Sequence, residues 1–239
     1  MTTIRGLLFD KDGTLIDFFA TWGAAYQAVA TEVAALTGDP GKADELLRLG
    51  GYDPATCVLD PASPLACGTN DEIAVLWGGH LGVESHLDLR HWVSGGFERF
   101  GMKPVPVTDL PALFRRLRAR GYTLGVATND HEEPTRATLG ALGVDGLLDF
   151  IAGADSGHGG KPGPGMLHAF CRATGLTPAA IAMIGDTVAD MAMARAGAAG
   201  LAVGVLTGAA PREALGMADH VIDSIAGLEA LIDGLGRAP

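Results

Sequence analysis

Short apolar runs that end in polar loops recur along the chain, and most are followed by a stretch with helical spacing. The runs occupy residues 4–9, 122–127, 148–152, 180–184 and 201–205, with 220–222 as a weaker sixth. A continuous apolar run suits a strand buried on both faces. Its alternation with helices predicts an α/β fold built on a doubly wound parallel sheet. Residues 110–120 make a well-marked helix: Thr108 and Asp109 can cap it, Pro111 fits its first turn, basic residues gather near its end and Gly121 stops it.

Between residues 18 and 100 the alternation breaks, leaving helical periodicity without a convincing buried strand. Phe18, Trp22, Tyr26, Val29 and Val33 fall three or four apart and mark one packing face of a helix, while 70–80 and 84–100 suggest two more. The Lys-Pro-Val-Pro stretch at 103–106 reads as a stiff strap returning to the sheet. The expected organisation is a core of residues 1–16 and 103–239 with an all-helical cap domain inserted at 17–102. There is no internal repeat and no low-complexity tract.

Composition narrows the class. With 239 residues, 48% hydrophobic and 19% charged, the chain has enough apolar material for a proper core and is not a disordered type. A net charge of −11 disfavours nucleic acid as a partner, because no basic face is available to neutralise phosphates. Cys57, Cys67 and Cys171 lie far apart without zinc-type spacing and read as reduced thiols, which points to the cytoplasm. No signal-type segment opens the sequence, and the uncharged stretch 196–210 falls short of the ~20 residues a spanning helix needs, so no membrane partner is expected.

In open parallel sheets ligands bind at the carboxyl ends of strands. After the first run comes Asp10-Lys11-Asp12-Gly13-Thr14, and after the second Thr128-Asn129-Asp130. After the fourth comes Gly185-Asp186-Thr187, with Asp190 one helical turn beyond Asp186. Between the third and fourth lies the loop Gly157-His158-Gly159-Gly160-Lys161-Pro162. Asp10, Asp12, Asp186 and Asp190 on one sheet edge would repel each other unless a cation sat among them, and oxygen-only ligands point to magnesium. Beside such an ion, Lys161 and the Thr128 hydroxyl can hold phosphoryl oxygens, and carboxylate attack becomes electrostatically possible.

Taken singly these segments are ordinary. Asp-Gly-Thr makes a turn, Gly-Asp-Thr caps a helix, and a lysine is usually solvated. Their joint occurrence, in order and each after a strand-like run, is what carries weight. Lys161 is one of only four lysines among 17 basic residues and lies in a Gly/Pro loop. Asp130 and His131 could equally start the helix that contains Glu132 and Glu133. His80, His86 and His91 read as packing or surface residues rather than metal ligands.

The four motifs in this order resemble the haloacid dehalogenase superfamily of phosphohydrolases, from about residue 4 to 206. Asp10-Lys11-Asp12-Gly13-Thr14-Leu15 is similar to its first motif, Thr128 to its second, Lys161 to its third, and Gly185-Asp186-Thr187 with Asp190 to its fourth. The 118 positions between Asp10 and Thr128 resemble the subclass with a helical cap inserted there, as in phosphoglycolate phosphatases.

The resemblance implies Asp10 as the nucleophile that forms an aspartyl-phosphate and Asp12 as general acid and base. It implies Mg2+ bound by the side chains of Asp10 and Asp186 and the carbonyl of Asp12, with Asp190 in support. Thr128, Asn129, Lys161 and Gly13 would bind phosphate, Gly13 also permitting the turn that aims both aspartates. The resemblance also implies, from the aspartate at position 12, a phosphate ester rather than a carbon–halogen or carbon–phosphorus bond as the one cleaved. The expected activity is magnesium-dependent hydrolysis of a small phosphorylated metabolite by a monomer or homodimer. A phosphosugar mutase resembling β-phosphoglucomutase, or a non-catalytic binding protein on the same fold, are the alternatives. Residues 18–100 carry four basic against eleven acidic side chains, a net of −7, which disfavours a multiply anionic leaving group. Arg48, near Gly50-Gly51 at an expected helix end, is a candidate substrate contact.

Overall fold

The computed structural model describes residues 3–235, apart from 57, 61, 84–85 and 102. Cys57 and Glu84 lie outside the described residues, as do the side chains of Cys67 and His86. Strand β1 (Gly6–Phe9) is buried along its whole length. The chain then leaves through α1 (Phe18–Ala35), whose N-cap Asp17 accepts a hydrogen bond from the Ala20 N–H at 2.8 Å. Next come α2 (Ala43–Leu49), the antiparallel pair β2 (Tyr52–Asp53) and β3 (Val58–Leu59), the single turn α3 (Pro64–Cys67), α4 (Asn70–Leu81) and α5 (His86–Gly101). The small β2–β3 pair and the short α2 and α3 interrupt the expected run of helices; two-residue strands and single turns carry no periodicity that a sequence pattern can display.

The chain re-enters the sheet region through α6 (Leu110–Ala119), followed by β4 (Thr123–Ala127), α7 (Glu132–Ala141), β5 (Phe150–Ala152), α8 (Gly165–Thr174) and β6 (Ile181–Gly185). It ends with α9 (Val188–Ala196), β7 (Leu201–Val205), β8 (His220–Ile222) and α10 (Leu228–Leu235). Of the two cap candidates for α6, Asp109 serves, accepting from the Ala112 N–H at 3.0 Å, and Gly121 stops the helix at φ 85°. The six long-range strands pair in parallel in the order β5-β4-β1-β6-β7-β8.

Alternate residues of β1 feed opposite layers. Leu7 and Phe9 join Leu113 and Phe114 of α6 and Leu228 of α10, with the Phe9 and Phe114 rings stacked at 5.3 Å. Leu8 joins Met183 of β6, Phe170 of α8 and Met191 of α9 on the other face. Phe170 lies flat on the strands because Gly125 of β4 leaves room: a Cβ there would sit 2.8 Å from its ring.

A separate apolar cluster holds the insertion together. It includes Val29 and Val33 of α1, Trp77 of α4 and Val93 and Phe97 of α5, and the Trp77 indole donates to the Leu46 carbonyl at 2.9 Å. Of the aromatic stripe on α1, Phe18 and Tyr26 are buried in this cluster, whereas Trp22 is half-buried at its edge. The departing and returning segments run side by side: Asp17 N–H donates to Val105 O at 2.7 Å, Val107 N–H to Leu15 O at 3.1 Å, and Ile16 bridges Pro106. No helix among the described residues is long and apolar enough to cross a membrane.

Truncating Phe170 to Ala should destabilise the fold by about 3–5 kcal/mol, through lost burial plus the cavity left against Gly6 and Gly125. The urea midpoint should fall with the slope of the transition unchanged. A midpoint equal to that of the parent protein would show that this ring does not anchor α8 to the sheet.

Candidate active site

β1 has β4 on one side and β6 on the other, so the chain order reverses at β1 and the loops after these three strands open into one crevice. The first loop is wound tightly. The N–H groups of Leu15 and Ile16 both reach the Lys11 carbonyl, at 2.9 and 3.2 Å, and Gly13 adopts φ 75°. A side chain at Gly13 would be strained by that φ and would strike the Asp186 carboxylate. The Thr207 hydroxyl donates to the Gly13 carbonyl at 2.6 Å, tying the loop to the end of β7.

Lys161 reaches in from the β5–α8 connection with its side chain 5% exposed. Its Nζ lies 2.5 Å from Asp10 Oδ1 and 2.6 Å from Asp190 Oδ1. Asn129 fixes that connection, accepting the Lys161 N–H at 2.8 Å and donating to the Lys161 carbonyl at 3.2 Å. Asp190 is held independently, since its Oδ2 accepts from the Thr187 hydroxyl at 2.6 Å and from the Thr187 N–H at 3.0 Å, in the capping box that starts α9. Asp186 is 1% exposed; the Thr14 hydroxyl approaches it at 3.4 Å, and it shares a side-chain hydrogen bond with Asp10. Carboxylate oxygens of Asp10, Asp186 and Asp190 lie within 4.8 Å of one another.

The electrostatics follow from that crowding. Burial pushes Asp10 from an ordinary 3.8 up to about 7, with Lys161 pulling the other way and Asp190 and Asp12 adding repulsion. Burial, reinforced by Asp10 and Asp190, drives Asp186 well above the carboxylate range. Burial alone would depress Lys161, yet Asp10 and Asp190 outweigh it and hold the ammonium above the ordinary lysine range. Three buried carboxylates sharing one lysine form a hard, oxygen-only donor set with a charge deficit, which fits a divalent cation of the magnesium or calcium type better than zinc.

Asp12 has a different set of partners. Its carboxylate pairs with the Lys11 ammonium and accepts the Trp22 indole N–H at 2.5 Å. That leaves only its backbone carbonyl for the part in cation binding that the family resemblance implies. Lys11, 2% exposed, also pairs with Asp130 Oδ2 at 2.8 Å and sits 5.5 Å from the centre of a Trp22 ring. Burial raises Asp12 despite Lys11, whereas at Asp130 burial is outweighed by Lys11 and the carboxyl is held low. Thr128 is 3% exposed and its hydroxyl accepts the Asp130 N–H at 3.2 Å. Asp130 is thus an ion-pair partner, and His131 occupies the N-cap position of α7.

The structure brings Asp10, Asp12, Thr128, Asn129 and Lys161 to one cavity of about 80 Å³, closed on its other side by α1, α4 and α5. A second cavity of about 410 Å³ continues past Trp22 and Phe97, between α7 and the insertion. Arg48 lines neither: it is 53% exposed and pairs with Asp44 along the surface of α2, which corrects the expectation of a substrate contact. His80 pairs with Glu45 at 3.1 Å on the surface, and His91 is exposed. Lys11 and Trp22 went unanticipated. The available signal was position, because a lysine between two motif aspartates and an aromatic near the start of the departing helix both lie beside the crevice.

A parallel sheet with acidic loops and a buried lysine at its switch point places the molecule among the Rossmann-like α/β enzymes. The chain belongs to the haloacid dehalogenase-like hydrolases, whose family model matches residues 4–198. A phosphoglycolate phosphatase of Rhodospirillum rubrum is 38% identical over 102 residues, 43% of this chain and 42% of that protein. One from Aquifex aeolicus is 33% identical over 89 residues, 37% of this chain and 41% of its own length. Each match therefore spans less than half of either protein. The solved structure of a haloacid dehalogenase-like family protein from Streptococcus pneumoniae shares the fold with a TM-score of 0.71, at 17% identity, covering 97% of this chain and 99% of that one.

Gly208 packs so closely behind Asp186 that an added Cβ would land on the carboxylate. Gly208→Ala should therefore weaken divalent-cation binding by about 10–100-fold, as read by calorimetric titration, with far-ultraviolet circular dichroism unchanged. Parent-like affinity in that variant would remove Asp186 from the cation site.

Proposed function

We propose that this chain is a magnesium-dependent phosphatase that hydrolyses a small phosphomonoester through an aspartyl-phosphate on Asp10, with residues 17–102 acting as a cap over the site. The observation that carries this is the contrast between two aspartates on one loop. Asp10 faces Lys161, Asp186 and Asp190, where a cation would keep it ionised, whereas Asp12 is raised by burial and held by Trp22 and Lys11, the condition of a proton carrier. The relatives named as phosphoglycolate phosphatases support a phosphatase rather than another hydrolase of the family.

In this reading Asp10 and Asp186, with the Asp12 carbonyl and Asp190 in support, would hold the magnesium, which when bound neutralises charge on phosphoryl oxygens. Lys161, Thr128 and Asn129 would hold the remaining phosphoryl oxygens. The Asp10 carboxylate attacks phosphorus and the bond from phosphorus to the alcohol oxygen breaks. Asp12 delivers its proton to the departing alkoxide, then takes a proton from the water that attacks the aspartyl-phosphate, releasing phosphate and freeing Asp10. Trp22, by donating to Asp12 Oδ1, holds that carboxyl in place at the cavity wall.

The test is stoichiometric release of inorganic phosphate from an aryl phosphate, with chelator and with magnesium restored. Turnover insensitive to chelation would overturn the metal assignment, and transfer of phosphate to a second hydroxyl without net release would indicate a mutase. Asp10→Asn should give neither turnover nor trapped phosphoenzyme. Asp12→Ala should slow an alkyl phosphate by about 10²–10⁴, yet from an aryl ester it should give a burst and accumulate phosphoenzyme, because that leaving group needs less help from a proton. Equal loss of the burst in both variants would strip Asp12 of its role.

A further inference from the structure

Among the described residues, both lysines at the site are already committed to carboxylates of this chain. Lys161 bridges Asp10 and Asp190, and Lys11 bridges Asp12 and Asp130. On the opposite wall, where the alcohol of a phosphate ester would lie, the insertion contributes Phe18, Trp22, Tyr26, Ile73 and Phe97, with Asn70 as its one amide. No lysine, arginine or histidine of the insertion lines this cavity among the described residues.

The polar atoms of the aromatic residues are also taken. The Tyr26 hydroxyl donates to the Leu65 carbonyl at 2.6 Å and the Trp22 indole N–H to Asp12 at 2.5 Å. The start of α4 offers little to an anion, because Thr69 and Glu72 close a capping box there and Asp71 and Glu72 already occupy the positive end of the helix. The larger cavity beyond Trp22 and Phe97 adds Glu98, Glu133 and Asp155 beside His131 and the already paired Lys11, so an alcohol extending that way meets more acidic than basic side chains.

We infer, granted the phosphatase reading on which this rests, that the site selects phosphomonoesters whose alcohol is uncharged and apolar beside the ester oxygen, and rejects those whose alcohol bears a carboxylate. A carboxylate moved from water against an aromatic wall loses hydration and gains no counter-charge, whereas an aryl or alkyl group there buries apolar surface. The discrimination is by repulsion and desolvation as much as by attraction.

The experiment compares kcat/KM, with magnesium present, for benzyl phosphate, 2-phosphoglycolate and 2-phosphoglycolamide, the last being a neutral near-isostere of the second. The amide and the benzyl ester should each exceed 2-phosphoglycolate by roughly tenfold or more. Asn70→Lys, which puts a cation on the wall at the half-exposed first turn of α4, should raise 2-phosphoglycolate and lower benzyl phosphate. Phosphate release with 2-phosphoglycolate equal to or better than its amide would overturn the selectivity while leaving the phosphatase intact. A parallel change of all three esters in Asn70→Lys would overturn the assignment of this wall. No release from any ester would overturn the phosphatase reading itself and the selectivity with it.

Discussion

Charge balance at the carboxyl end of β1 is the constraint on which this molecule is organised. Five carboxylates, Asp10, Asp12, Asp130, Asp186 and Asp190, crowd one crevice with two buried lysines. Each lysine bridges a pair, and Asp186 is left without an ion pair among the described residues. The sheet order dictates this, because strands whose loops carry acids are direct neighbours, and hydrogen bonds from Thr187 and the close approach of Gly208 keep the side chains from swinging into solvent. A site that cannot relax its repulsion by moving must do so by protonation or by taking up a cation, and the raised Asp10 and Asp186 express the first of these.

Much of this was legible in the sequence because strands buried on both faces leave continuous apolar runs. β7 and β8 occupy the expected residues, β1, β4 and β5 start one or two residues later, and β6 is shifted by one. The loops after those strands carried Asp10, Thr128 and Asp186 to the crevice without any need for alignment. What the sequence hid depends on side-chain direction. Asp12 and Asp10 are two positions apart, yet they face different partners, because the αL turn at Gly13 and the indole of Trp22 fix a rotation that spacing does not record. The sequence assigned Lys11 no role of its own, and its burial rests on ion pairs with both Asp12 and Asp130.

The insertion shows the other limit of pattern reading. Its long helices announced themselves through Phe18, Tyr26, Val29 and Val33, whereas α2, β2, β3 and α3 are held by tertiary contacts such as the Trp77 indole on the Leu46 carbonyl. Trp22 belongs to the same stripe and packs at the edge of that cluster, yet its indole N–H serves the crevice. One helix thus has two duties, and its hydrophobic period describes only the first.

The paired segments at the root of the insertion have a consequence for how such chains diversify. With Asp17 bonded to Val105 and Leu15 to Val107, the chain departs and returns at a single spot, so the ends of the intervening segment are neighbours. Any foreign module whose own termini lie side by side could be grafted at this junction without stretching a strand or shifting the acidic loops. The sheet is in that sense a socket, and what stands over it is exchangeable at little conformational expense.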